Sequence, residues 1–122
     1  MDISALLAAI WQTHASHRKV DAWLAGKSVA VCPLSELGFL RISTHPRGPF
    51  KAGMPDAREL LSDFLAKHKC SFIGADLQAL ESLATESDSV TDCYLADLAQ
   101  RHGMRMATLD ARLKHASAQL IG

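Results

Sequence analysis

Apolar and polar positions alternate along this chain with a period that switches between helix and strand. Residues 3–12, ISALLAAIWQ, are apolar and alanine-rich and predict a helix. Residues 14–26, HASHRKVDAWLAG, predict a second, amphipathic helix, with Val20, Trp23 and Leu24 inward and Gly26 as its stop. The β-branched run SVAVCP, 28–33, predicts a short buried strand closed by proline, and LSELGFLRIS, 34–43, a helix directly after it. Two prolines and two glycines in HPRGPFKAGM, 45–54, require a loop. PDARELLSDFLAKH, 55–68, opens with proline and acid and reads as a helix. CSFIG, 70–74, is a weak strand, and ADLQALESLA, 75–84, a short helix.

The most informative stretch is SVTDCYLADLAQRHGMRMATLD, 89–110. Val90, Tyr94, Leu95, Leu98 and Ala99 form one apolar stripe. Asp92 falls at the edge of that stripe, whereas Asp97 lies about 140° round the helix from Asp92, at about 100° per residue. Asp97 therefore reads as a solvated acid that pairs with Arg101 at i+4. His102-Gly103 ends the helix, residues 104–109 form a strand, and Asp110 caps a further helix, DARLKHA. Strands alternating with helices predict an α/β domain spanning 1–122, with a parallel sheet covered on both faces.

Two more acids join Asp92 and Asp110. Asp2 precedes the first helix, and Glu36 opens the helix that follows SVAVC. Strand-to-helix junctions and helix starts of a parallel sheet converge at one edge, where sites form. Four carboxylates gathered there without matching bases would repel, and protons or a divalent cation must neutralise them. All-oxygen ligands point to Mg²⁺ or Mn²⁺ rather than zinc. Taken singly, Asp92 could serve only a helix dipole and Asp110 only as an N-cap.

Composition narrows the choice. Among 122 residues, 48% are hydrophobic, enough for a real core. Cys32, Cys70 and Cys93 are odd in number and form no CxxC pair, so neither a disulfide framework nor a zinc ribbon is encoded. Reduced thiols of a cytoplasmic protein are the plain reading. No apolar run approaches a membrane span, and no signal-peptide pattern is present. Thirteen basic residues balance thirteen acidic ones, so nucleic acid could be held only by a local patch. His14 and His17, with no third nitrogen nearby, read as residues of a helix junction. Trp11 and Trp23 read as core or interface residues.

The segments DISALLAAIW, CPLSELGFLRIS and SVTDCYLADLAQRHGMRMATLD together resemble PIN-domain proteins, and within them the VapC-type ribonuclease toxins of bacterial toxin–antitoxin pairs. The resemblance covers nearly the whole chain. It implies a three-layer α/β/α sandwich around a central parallel sheet, and metal-dependent cleavage of RNA. It places the metal ligands and catalytic acids on Asp2, Glu36, Asp92 and Asp110. It also implies supporting roles for Ser4, where the family usually has asparagine, and for Thr91 and Thr108. Only Met1 precedes Asp2, so the first strand is expected to be truncated, with open edges that favour a homodimer or strand borrowing.

On this reading Mg²⁺ or Mn²⁺ is the cofactor, RNA (a tRNA among the candidates) the substrate and an antitoxin protein the partner. Arg41, Arg47 and Lys51, with Arg18 and Lys19, are candidates for a phosphate-binding rim. The truncated start and Ser4 favour an alternative, a PIN-like module that binds RNA or a partner without cutting; the four retained acids oppose it. A phosphate-accepting receiver would need a lysine among the acids, and Lys114 is expected inside the helix after Asp110.

Overall fold

The computed structural model describes all 122 residues. Two short helices come first, α1 (Ile3–Ile10) and α2 (His17–Leu24). Strand β1 (Ala30–Val31) leads through Pro33 into α3 (Pro33–Thr44). Proline in the first turn fits because its missing N–H would have no helical acceptor there. After the loop come α4 (Met54–Lys67), β2 (Ser71–Phe72), α5 (Val90–Arg101), β3 (Met106–Thr108) and β4 (Ala118–Leu120).

All strand pairing is parallel, as the alternation of strands and helices predicts. The pairs are separate: β1 with β2, and β3 with β4. The backbone of Met1 and Asp2 bridges them. The Met1 amine donates to Ala30 O at 3.2 Å, and Asp2 N donates to Ala107 O at 3.0 Å. Met1 and Asp2 thus form a two-residue clasp between the two strand pairs.

The main core is built from α1, whose residues Ala5 to Ala9 are all buried, against α2, α3 and α4. Alanines let α1 approach α3 closely, and Gly38 completes the fit: a Cβ there would lie 2.6 Å from Ile3 Cγ1. Gly38→Ala is expected to cost about 1–3 kcal/mol through overpacking, read from urea unfolding midpoints. A smaller core joins α5 to Cys32 and Met106. All three cysteines are free thiols. No helix is long and apolar enough to cross a membrane.

Four local expectations need correction. Residues 75–84 carry only a single 3₁₀ turn, Ala79–Glu81, because no apolar face there is buried and Leu80 is 94% exposed. Residues 110–116 form turns, not a helix, so Lys114 is not helical. Asp110 folds back on its own backbone, accepting from Arg112 N at 2.9 Å, a local bond that competes with helix formation. The strand β4 had no counterpart in the apolar pattern, since Ala118, Gln119 and Leu120 neither alternate nor bury fully.

Asp97 is the fourth. It does not pair with Arg101, which turns to Asp76 at 3.4 Å. Instead Asp97 meets His115 Nε2 at 2.6 Å, and His115 Nδ1 accepts from Ser117 N at 3.0 Å. The Ser117 hydroxyl donates to Ala96 O at 2.6 Å. This chain of bonds ties β4 to α5. Its partly buried position makes it worth more than an exposed pair. His115→Ala is expected to lower stability by about 1–3 kcal/mol, measured by chemical denaturation, with Asp97→Ala adding little more.

Candidate metal centre

Asp2 is the anchor. It is 1% exposed and caps α1, its carboxylate accepting from Ala5 N at 2.8 Å. The Thr108 hydroxyl on β3 lies near the same carboxylate and favours its charged form. Burial pushes the Asp2 pKa up, and the charge of Asp110 pushes the same way; the Thr108 hydroxyl, the Ala5 amide and the nearby amino terminus oppose this. The clasp between the half-sheets therefore also places this acid over the carboxyl end of β3. These bonds, with that from Asp2 N to Ala107 O, hold Asp2 in place.

Asp92 enters from the first turn of α5 and is half-buried. Burial raises its pKa, and the charges of Asp2 and Asp110 raise it further. Asp110 follows β3 directly. Its carboxylate is held below the usual range by bonds from the Arg112 amide and guanidinium, the latter at 3.3 Å. Three acids from distant parts of the chain thus lie within electrostatic reach of one another.

Glu36 stands differently. It opens α3, where its amide donates to Cys32 O at 3.2 Å. Burial alone raises its pKa, with no contribution from the other acids. Glu36 is at the same end of the fold, since its neighbour Ser35 donates to Met1 O at 2.8 Å.

The donors fit a hard divalent cation in kind: carboxylate oxygens, one of them deeply buried, with no thiolate or imidazole among them. They are not closed into a coordination shell, for no three acidic, histidine or cysteine side chains stand close enough to hold an ion. The ion pair of Arg112 with Asp110 is one reason, because it supplies positive charge where a cation would. A short Asp-Ala-Arg sequence carries that contact, and nothing in the apolar pattern singled out Arg112.

Of the supporting residues, Thr108 is 1% exposed and touches two parts of the cluster: its hydroxyl lies near Asp2, and its Oγ1 accepts from Asp110 N at 3.0 Å. Ser4 and Thr91 are exposed and make no side-chain hydrogen bond. Arg41, Arg47 and Lys51 are exposed and form no ion pair. Arg47 and Lys51 lie beyond the far end of α3, about 12 Å along its axis from Glu36 at 1.5 Å per residue. Trp11 also sits at that end, stacked on Phe50 with its indole donating to Ser43 at 2.8 Å, as a packing residue. His17 Nδ1 bonds to Ala8 O at 2.8 Å, and His14 Nδ1 accepts from Ser16 N at 3.0 Å, so both imidazoles serve the junction between α1 and α2.

The PIN-domain profile fits residues 1–119. The chain belongs to the PIN-domain family. Among curated proteins, this PIN domain is 35% identical to Ribonuclease VapC38 of Mycobacterium tuberculosis, over 91% of this chain and 84% of the relative. It is 30% identical to Ribonuclease VapC39 of the same species, over 99% of this chain and 95% of the relative. Ribonuclease VapC44, again from M. tuberculosis, is 29% identical over 90% and 84%.

Proposed function

We propose that this PIN domain is a metal-dependent endoribonuclease and the toxin of a bacterial toxin–antitoxin pair, working in the cytoplasm. The observation that carries the reading is the convergence of Asp2, Asp92 and Asp110: after burial, the charge of Asp110 disfavours the Asp2 anion, and the charges of Asp2 and Asp110 disfavour that of Asp92. The curated relatives, named as VapC ribonucleases, support it across nearly the whole chain. Residues 1–122 form one such domain on this reading, in the three-layer α/β/α arrangement.

Asp2, Asp92 and Asp110 would hold Mg²⁺ or Mn²⁺, with Glu36 contributing at the rim. Such an ion supplies a hydroxide from bound water near neutral pH and neutralises charge on the scissile phosphate. Asp2 and Asp92 are disfavoured as anions here, so both gain from meeting a cation. Thr108 keeps Asp2 and the Asp110 backbone in fixed relation, which spares reorganisation when the ion enters. Ser4 and Thr91, exposed beside Asp2 and Asp92, can orient water at the rim. Arg112 yields Asp110 to the ion and becomes available to a phosphate oxygen. Arg112→Ala is therefore expected to tighten Mn²⁺ binding about 2–5-fold, the scale of one exposed ion pair, in calorimetric titration.

RNA is the substrate, with tRNA a candidate, and Arg41, Arg47 and Lys51 would receive its backbone away from the cut. Binding through so few cations should weaken steeply with salt. A cognate antitoxin and a second copy of the chain are the protein partners; exposed Leu37, Phe72 and Leu83 offer apolar contact area for them.

Incubating the purified chain with a total tRNA pool, with Mn²⁺ and then with chelator, tests this reading. Cleavage that requires Mn²⁺ supports it. Intact RNA under both conditions, with no metal bound, would leave the alternative of a PIN domain that binds without cutting.

A further inference from the structure

A second cluster of charge lies at the opposite end of β1 and β2 from the acids. The two strands run parallel with Ala30 beside Ser71, so the same register carried back sets Lys27 level with His68 and Ser28 level with Lys69. Lys67 and His68 end α4, and Lys27 follows α2. Lys27, Lys67 and His68 line one open recess of about 500 Å³, in which Asp21 is the one acid and Leu24 and Ala25 are the only apolar residues.

Lys27, Lys67 and Lys69 are exposed and form no ion pair. Aromatic rings stand among them. The Lys27 ammonium sits 4.9 Å over the Trp23 ring, and His68 packs against Phe64 with 4.5 Å between ring centres. The dipole of α4 accounts for a cation in its last turn, but not for Lys27, which arrives from another segment. Lys69 is the more telling residue. Bonds from Lys69 N to Ala66 O and from Cys70 N to Leu65 O close α4 with the turn in which glycine is usual, and Lys69 holds a φ of 48° there. A lysine in that left-handed position is less stable than glycine. It adds a further unpaired cation to one place in a chain of zero net charge.

We propose that this recess is a landing site for the phosphate backbone of RNA, separate from the acid cluster. Unpaired lysines interleaved with aromatic rings suit phosphates flanked by bases. Two apolar lining residues are too few to anchor an amphipathic helix of a protein partner. Cys32, at the acid end of β1, lies five residues on from Lys27, about 16 Å at about 3.3 Å per residue. An RNA that touches both ends must run along the molecule for several nucleotides. The recess therefore selects long or structured RNA and takes no part in cutting it. This inference rests on the reading of the chain as an RNA-cutting enzyme, yet binding and cutting are measured apart.

The test is binding of fluorescently labelled tRNA to the full chain in chelator, where no metal-dependent cutting occurs, over a range of salt. Lys27→Gln/Lys67→Gln is compared with Arg58→Gln/Arg101→Gln, which removes two exposed cations elsewhere. The recess variant is expected to weaken binding about 10-fold and to lower the slope of log affinity on log salt by about 1–2; the other variant should bind like the original. Lys69→Gly is expected to raise Tm by a few degrees while weakening tRNA about 3-fold, a trade that a purely structural lysine would not make. Equal weakening by the Arg58/Arg101 variant would mean a general effect of charge and overturn the site. A recess variant that binds tRNA like the original, or an original chain that binds none, would overturn it too. Polyglutamate that binds as tightly as tRNA, and is lost in the same variant, would mean an acidic protein partner and overturn RNA. Cutting is then measured with Mn²⁺ on the original chain: the predicted binding pattern without cutting keeps the site and sinks the enzyme reading.

Discussion

Replacing Asp92 with asparagine is expected to abolish metal-dependent RNA cleavage, lowering the rate at least about 100-fold, while leaving the fold intact. The side chain is half-buried within electrostatic reach of Asp2 and Asp110, and its pKa is raised first by burial and then by those two charges. Asparagine keeps the volume and removes the anion. The metal would lose one of its charged oxygens, and the two remaining acids would lose a like-charged neighbour. The same substitution should therefore raise the melting temperature of the metal-free protein even as it removes activity. Single-turnover cleavage and a thermal melt, taken on one preparation, check both. A folded Asp92→Asn protein that cuts at the original rate would remove Asp92 from the centre.

The second large effect is the linkage of stability to pH and metal. Asp2, Asp92 and Glu36 all have pKa values raised by burial in the folded state. A carboxylic acid with a raised folded value favours the fold when protonated. Its contribution is fully present below the unfolded value, near pH 4, and is lost as pH rises through the folded value. Asp110 runs the opposite way, since Arg112 depresses it, so its contribution fades only under acid conditions. The metal-free chain should thus gain stability as pH falls from 7 toward 5, against the common trend. Mn²⁺ at about 100 times its dissociation constant should restore about 2.7 kcal/mol at neutral pH, a rise in Tm of roughly 10 °C. That gain should shrink as the carboxylates protonate. Melting curves from pH 5 to 8, with Mn²⁺ and with chelator, give the comparison; stability that falls with acid in both, and no metal shift, would contradict it.

Much of this arrangement was legible in the sequence. The helices at α1, α2, α3, α4 and α5 follow from apolar periodicity and from their proline and glycine punctuation. Parallel pairing follows from their alternation with β-branched runs. The convergence of Asp2, Asp92 and Asp110 was also legible, because each lies at a junction between elements. What the sequence could not show depends on contacts between distant segments. His115 turns Asp97 from a solvated acid into a partly buried partner. Arg112 turns Asp110 from a helix cap into a turn. Glu36 lies at the right end of the fold yet outside the reach of the other three charges.

The most direct measurement is anomalous diffraction from a crystal soaked in Mn²⁺. A single strong peak is expected about 2.1–2.3 Å from carboxylate oxygens of Asp2 and Asp92, with Asp110 turned away from Arg112 toward it. No peak at these acids, or one bound elsewhere while Asp110 stays on Arg112, would contradict the claim that they form a metal centre.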